Sequence, residues 1–141
     1  MDDLQRITIE AACARLIAHY AQLVDLAEPG AAADLFVEDG VFELASTRIE
    51  GREAIRANSV AGRGQFAGRV TRHVCTNIVI TALDEQHAEG SAYFLFFASE
   101  AGAGAPLKFG APATIGVYRD RFVRTAGGWR IAHRRVELPA P

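Results

Sequence analysis

Residues 70–99 read VTRHVCTNIVITALDEQHAEGSAYFLFFAS, and in this stretch the hydrophobic period settles at two. Val70 to Leu83 and His87 to Ser99 each alternate as long strands, and Asp84-Glu85 between them suits an antiparallel connection. The same period returns in Phe109 to Thr125 and in Gly128 to Leu138, joined by Ala126-Gly127-Gly128. The Gly/Ala/Pro-rich stretch from Ala101 to Pro106 has no period and reads as a loop.

Upstream the period is that of a helix. From Leu4 to about Leu26 there is no Gly or Pro, and Leu16, Ile17, Tyr20, Leu23 and Val24 recur at helical spacing in an alanine-rich background. Glu28-Pro29-Gly30 ends this helix, because the residue before proline is pushed out of the αR region and glycine tolerates a left-handed turn. A second short helix is expected from about Ala31 to Phe36. Glu38-Asp39-Gly40 reads as a turn, with Val41, Phe42 and Leu44 a short strand and Arg48-Ile49 its returning partner. A third helix is expected from Arg52 to about Val60, followed by a glycine-rich connection through Gly62, Gly64 and Gly68. Helices first and a strand meander afterwards predict an α+β fold with segregated layers, in one domain spanning 1–141. A sheet of long strands can curl around such helices, and the space between is a natural ligand cavity.

Composition agrees with a folded core and argues against several partners. Half of the 141 residues are hydrophobic, 23% are charged and the formal net charge is −2, so neither a disordered chain nor an electrostatic nucleic-acid or membrane-surface binder is expected. The late basic residues, Arg119, Arg121, Arg124, Arg130, Arg134 and Arg135, read as a solvated sheet face or an ion-pair lattice. The opening MDDLQRITIE has no basic and apolar signal-peptide regions and no 18-residue apolar run occurs, which together predict a cytoplasmic protein. Cys13 and Cys75 lack CxxC spacing and read as buried small hydrophobes. The histidines at 19, 73, 87 and 133 form no HxH or HExxH pattern, so no metal is expected, and no GxSxG, GxGxxG or P-loop motif is present.

Few residues carry chemistry. Alternation puts His73, Cys75, Asn77 and Val79 on one face of their strand and Arg72, Val74, Thr76, Ile78 and Ile80 on the other. A histidine on such a strand needs a partner, and a carboxylate beside it fixes the tautomer and makes a useful general base. Asp25, at the end of the apolar first helix, is the best carboxylate for that purpose; facing water or bonding a local backbone N–H would serve it equally well. A projection at about 100° per residue sets Asp25 well away from the stripe of Leu16, Tyr20 and Val24, so both reach one pocket only if the helix end bends. Tyr20 on that stripe has a hydroxyl to satisfy, and Asn77 could orient a carbonyl or hydroxyl. Tyr93 and Tyr118, with Phe94, Phe96, Phe97, Phe109 and Phe122, supply an aromatic lining. Trp129, Ile131 and His133 alternate on the last strand, and either face of it suits the cavity.

Several strings in order resemble the SnoaL-like branch of the NTF2-like superfamily: His19-Tyr20-Ala21 to Val24-Asp25, Leu35 to Phe42, Gly51-Arg52-Glu53-Ala54-Ile55, Arg72-His73, Thr76-Asn77, Gly116 to Asp120, and Gly127-Gly128-Trp129-Arg130-Ile131. The resemblance covers nearly the whole chain. It implies a cone-shaped α+β barrel of three N-terminal helices packed in a curved antiparallel sheet, assembling as a homo-oligomer, dimer or trimer. Within the superfamily the arrangement is similar to scytalone dehydratase, the bile acid 7α-dehydratases and hexachlorocyclohexane dehydrochlorinase, in which a first-helix Asp and a strand His form a dyad. Asp25 and His73 occupy the matching positions, and Tyr20 matches the bile acid dehydratase tyrosine five residues before the Asp.

The resemblance therefore implies a cofactor-independent lyase or isomerase acting on a small hydrophobic ring compound such as a steroid, polyketide or aromatic. Asp25, His73 and Tyr20 would be its catalytic groups, and Asn77, Tyr93 and Tyr118 its substrate contacts. Two departures stand out: scytalone dehydratase's second pocket histidine has no counterpart in the Gly110 to Tyr118 strand, and no acid faces the base. The same cone also serves polyketide cyclases and non-catalytic ligand-binding or structural proteins, including the small subunit of ring-hydroxylating dioxygenases.

Overall fold

A computed structural model of the protein describes residues 1–100 and 107–140; the stretch Ala101 to Pro106, read above as a loop, lies outside them. Helix α1 (Asp3–Leu26) begins at a reciprocal cap. The Asp2 carboxylate accepts from the Gln5 N–H at 2.7 Å while the Gln5 side-chain oxygen accepts from the Asp2 N–H at 2.8 Å, satisfying two otherwise orphaned donors. Its buried residues include Ile9, Cys13, Ile17, Ala21 and Asp25, every fourth residue along one line. A carboxylate ends the row that the core sits against.

Gly30, at φ +88°, turns the chain into Ala31–Leu35, which is a 3₁₀ helix and not a third α-helix. Only five residues separate Gly30 from the extended Phe36, and their bonds close over three residues, as from the Ala33 N–H to the Gly30 carbonyl and from the Phe36 N–H to Ala33. The fold therefore has two α-helices among the described residues, α1 and α2 (Arg52–Gly64). Arg56 of α2 ties the 3₁₀ segment down, donating to the Gly30 carbonyl at 2.9 Å and to Asp34 at 2.7 Å.

The expected turn at Glu38-Asp39-Gly40 lies inside strand β1 (Phe36–Leu44), where a register shift between Phe36 and Val41 absorbs it as an irregularity of the pairing. β1 turns back into β2 (Thr47–Glu50) as the expected hairpin. β3 (Thr71–Ala82), β4 (His87–Ala98), β5 (Thr114–Thr125) and β6 (Gly128–Glu137) form the meander, with β5 starting five residues later than its apolar pattern suggests.

The sheet order is β2-β1-β6-β5-β4-β3, and β1 runs parallel to β6. The sheet is thus mixed, against the expectation of a purely antiparallel one. The chain leaves β1 through β2 and α2, builds the meander from the far edge inward, and brings β6 back beside β1. Helix α1 packs on the inner face, where its Leu16 and Ile17 join Leu35, Phe36, Phe122 and Ile131 in one core. Gly116 is required where β5 meets β6, since a Cβ there would lie 2.7 Å from the Glu137 carbonyl oxygen and against the Phe94 ring. No helix among the described residues is long and apolar enough to cross a membrane.

Candidate active site

The end of α1 meets the start of β3, and there the row Ile9-Cys13-Ile17-Ala21 delivers Asp25 into the interior. Both of its oxygens are used. Oδ2 accepts from the His73 backbone N–H at 2.6 Å, and Oδ1 lies 2.8 Å from His73 Nδ1 and accepts from the Thr71 hydroxyl at 3.1 Å. Burial pushes the Asp25 carboxyl upward, but bonds from the His73 ring and backbone, the His73 charge and the Thr71 hydroxyl outweigh it and hold the group below its ordinary value. An ionised carboxylate against Nδ1 places the ring proton on that nitrogen. Nε2 has no protein partner among the described residues.

His73 is brought to a cavity of about 330 Å³ between α1, α2 and the sheet. Phe96, its cross-strand partner, holds the imidazole with ring centroids 4.6 Å apart. Tyr20, Phe42, Phe66, Phe94, Phe96 and Tyr118 make the walls aromatic, and α2 with the residue after it supplies a polar rim of Asn58, Ser59, Arg63 and Gln65. Asp25 does not line this cavity. It borders a separate recess with Ala18, Gln22 and Arg72, and His73 alone of the pair reaches both. That resolves the helical-projection conflict: Tyr20 and Val24 face the cavity, Asp25 stands behind the imidazole, and the helix need not bend.

Not every expected contact is there. Asn77 lies outside the cavity, exposed, with φ +52° where the β3–β4 register shifts between Thr76 and Val79. The irregularity switches the inward face to Ile78, Ile80 and Ala82, so alternation counted from His73 fails after Cys75. Tyr93 is 53% exposed on the outer face, because its neighbours Ala92 and Phe94 are the ones that point inward. Tyr118 does line the cavity, stacked on Phe94 at 4.5 Å. Trp129 packs against the core, whereas His133 turns outward and its Nε2 lies 2.6 Å from Glu43. Cys75 packs against the core, and Cys13 is buried; burial pushes both thiols up.

Four side chains escape a reading of the sequence. Thr71 bridges Asp25 to Arg63, whose Nη1 donates to the Thr71 hydroxyl at 2.6 Å. Arg134 and Asp120 form a pair with both side chains fully buried, bonded through Nε and Nη2 at 2.8 Å each. The Arg134 guanidinium lies between two cavity tyrosines, 4.3 Å from the Tyr20 ring and 3.9 Å from that of Tyr118. Burial pushes the Tyr20 phenol up, with the Arg134 charge opposing, so the hydroxyl stays protonated and can donate. Asp120 between Tyr118 and Phe122 at period two is the available signal for this pair.

Residues 5–135 match the family model described as a SnoaL-like domain. Among solved structures, Aln2 from a Streptomyces species is 26% identical, with a TM-score of 0.76 over 91% of this chain and 89% of that one. A candidate scytalone dehydratase from Novosphingobium aromaticivorans is 25% identical, with a TM-score of 0.78 over 95% and 86%. An NTF2-like protein with a cystatin-like fold from Novosphingobium aromaticivorans is also 25% identical, with a TM-score of 0.76 over 94% and 82%. No curated protein matches the sequence.

Proposed function

The chain belongs to the SnoaL-like domain family within the NTF2-like fold, and from that premise we propose that it is a cofactor-independent lyase or isomerase of the dehydratase type, acting on a hydrophobic cyclic substrate. The observation that carries this reading is the 2.8 Å contact of His73 Nδ1 with a buried carboxylate, which leaves Nε2 without a protein partner on a residue lining an aromatic cavity. In the proposed reaction Nε2 removes a proton from carbon alpha to a carbonyl or beside a leaving group. Asp25 holds the tautomer and stabilises the imidazolium that forms. Tyr20, protonated and on the cavity wall, donates to the oxygen that gains charge or departs. Tyr118 and Phe94 offer a stacked face for a flat ring. The likeness to a candidate scytalone dehydratase supports the dehydratase form of the reading. Val74, Val79, Tyr93 and Ile115, left exposed on the sheet, support a homo-oligomer.

Proton exchange tests the mechanism before the natural substrate is identified. Cyclic ketones incubated with the protein in heavy water should exchange an alpha proton in the wild type, and His73→Ala and Asp25→Asn should each slow the exchange, His73→Ala by about a hundredfold or more. Exchange or turnover that both variants leave unchanged would sink the mechanism.

A further inference from the structure

The cavity has one formal charge that the proposed proton transfer does not use. Among its described lining residues there is no Asp or Glu, and apart from His73 and the phenols of Tyr20 and Tyr118, which burial keeps protonated, the lone ionisable group is Arg63. Arg63 is half-buried near the end of α2, and no carboxylate among the described residues pairs with it, although Arg56 on the same helix is paired with both Asp34 and Glu53. Its Nη1 is engaged by Thr71, which leaves Nε and Nη2 without a protein acceptor among the described residues.

Those two N–H groups form the flat edge of a guanidinium that fits the two oxygens of a carboxylate. The molecule demonstrates that fit elsewhere: Arg134 uses the same edge, Nε and Nη2, to hold both oxygens of Asp120. In Arg63 the edge is open on a residue of the cavity wall. A half-buried cation with that edge free, on the wall of a largely aromatic cavity, suits an anion from outside the chain.

We propose that the substrate is a cyclic compound bearing a carboxylate, which docks on the Nε/Nη2 edge of Arg63 while its ring lies against the aromatic wall. The inference rests on reading this cavity as the substrate site. Arg63 is then a specificity residue in register with the base, because a single run of contacts joins them: Arg63 Nη1 to the Thr71 hydroxyl at 2.6 Å, Thr71 to Asp25 at 3.1 Å, and Asp25 to His73 Nδ1 at 2.8 Å. The rim residues Asn58, Ser59 and Gln65 beside it are neutral hydrogen-bonding groups that can complete the anchorage.

Binding of naphthoate and of its neutral isostere naphthamide, measured by calorimetry at neutral pH, separates this from a purely apolar site. The wild type is expected to prefer the acid by about tenfold or more, as a charge-assisted bidentate contact requires. Arg63→Gln should bring the two affinities together by weakening the acid, and Arg63→Lys, which keeps the charge but not the flat edge, should retain part of the preference. Equal affinities in the wild type, no acid binding at millimolar concentration, or a full preference surviving in Arg63→Gln would each overturn the proposal. The wild-type comparison decides even if a variant fails to fold. His73→Ala tests the other reading independently: it should slow proton exchange and leave the acid preference standing.

Discussion

Of the acid–base pairs that join separate elements of this fold, the two most buried differ in their surroundings. Asp120 and Arg134 clasp β5 to β6 with neither side chain exposed, whereas Asp25 and His73 join α1 to β3 with the imidazole side chain 18% exposed. In the sealed pair the base is a guanidinium, which keeps its proton at any working pH. In the open pair the base is an imidazole, which can give and take one. Similar charge complementarity thus has two outcomes: the sealed pair is a fixed charge that can only hold, and the open pair leaves a titratable ring at a cavity, as the proposed proton transfer requires.

The largest expected effect tests the sealed pair. Arg134→Met strands a buried carboxylate and is expected to cost about 3–5 kcal/mol in urea denaturation, while adding Asp120→Leu should recover most of it. A cost under about 1 kcal/mol would erase the contrast. At the open pair the loss should fall on chemistry: His73→Ala is expected to slow proton transfer by about a hundredfold or more, with a smaller change in the urea midpoint than Arg134→Met produces.

Acid titration separates the pairs further. The folded Asp25 carboxyl is held below its ordinary value of 3.8, so its contribution to stability is fully present above that pH and is lost as pH falls through the lower folded value. Asp25→Asn should flatten that part of the acid limb in urea midpoints measured from neutral pH downward, and an unchanged limb would mean the bonds to His73 and Thr71 do not matter. The smallest effect belongs to Thr71→Val, which removes the bridge to Arg63. About 1 kcal/mol of stability is expected to go, with a fewfold loss of turnover.

Much of the architecture is legible in the sequence because periodicity and breakers are local. The uninterrupted run to Leu26, the Glu28-Pro29-Gly30 stop and the four alternating stretches all mark real elements. Phase is harder. Asp25 looks misplaced when the stripe is drawn through Leu16, Tyr20 and Val24, yet counting fours from Ile9 ends on it. Alternation assigns Asn77 to the wrong face because a single irregularity in β3 shifts every later residue, and a left-handed residue in a strand leaves no trace that an Asn would not leave elsewhere. Tyr93 reads as an inward residue because both faces of its strand carry aromatics and apolar residues. Arg134 falls among the solvated arginines by pattern, although the buried positions of β6 run through Ile131, Arg134 and Val136. The parallel pairing of β1 with β6 depends on residues about ninety apart, beyond any local pattern.

That pairing sets the order in which the molecule can be completed. Phe42 on one side of the seam and Val136 on the other both line the cavity, so its wall exists only after the last strand has found a partner made near the start. A contact of such long sequence separation is slow to form, since loop closure must precede any gain from pairing. The helix, the hairpin and the meander can each take shape beforehand. Completion of the cavity is therefore expected late in folding, and a chain released before β6 would hold the Asp25–His73 pair without the full wall around it.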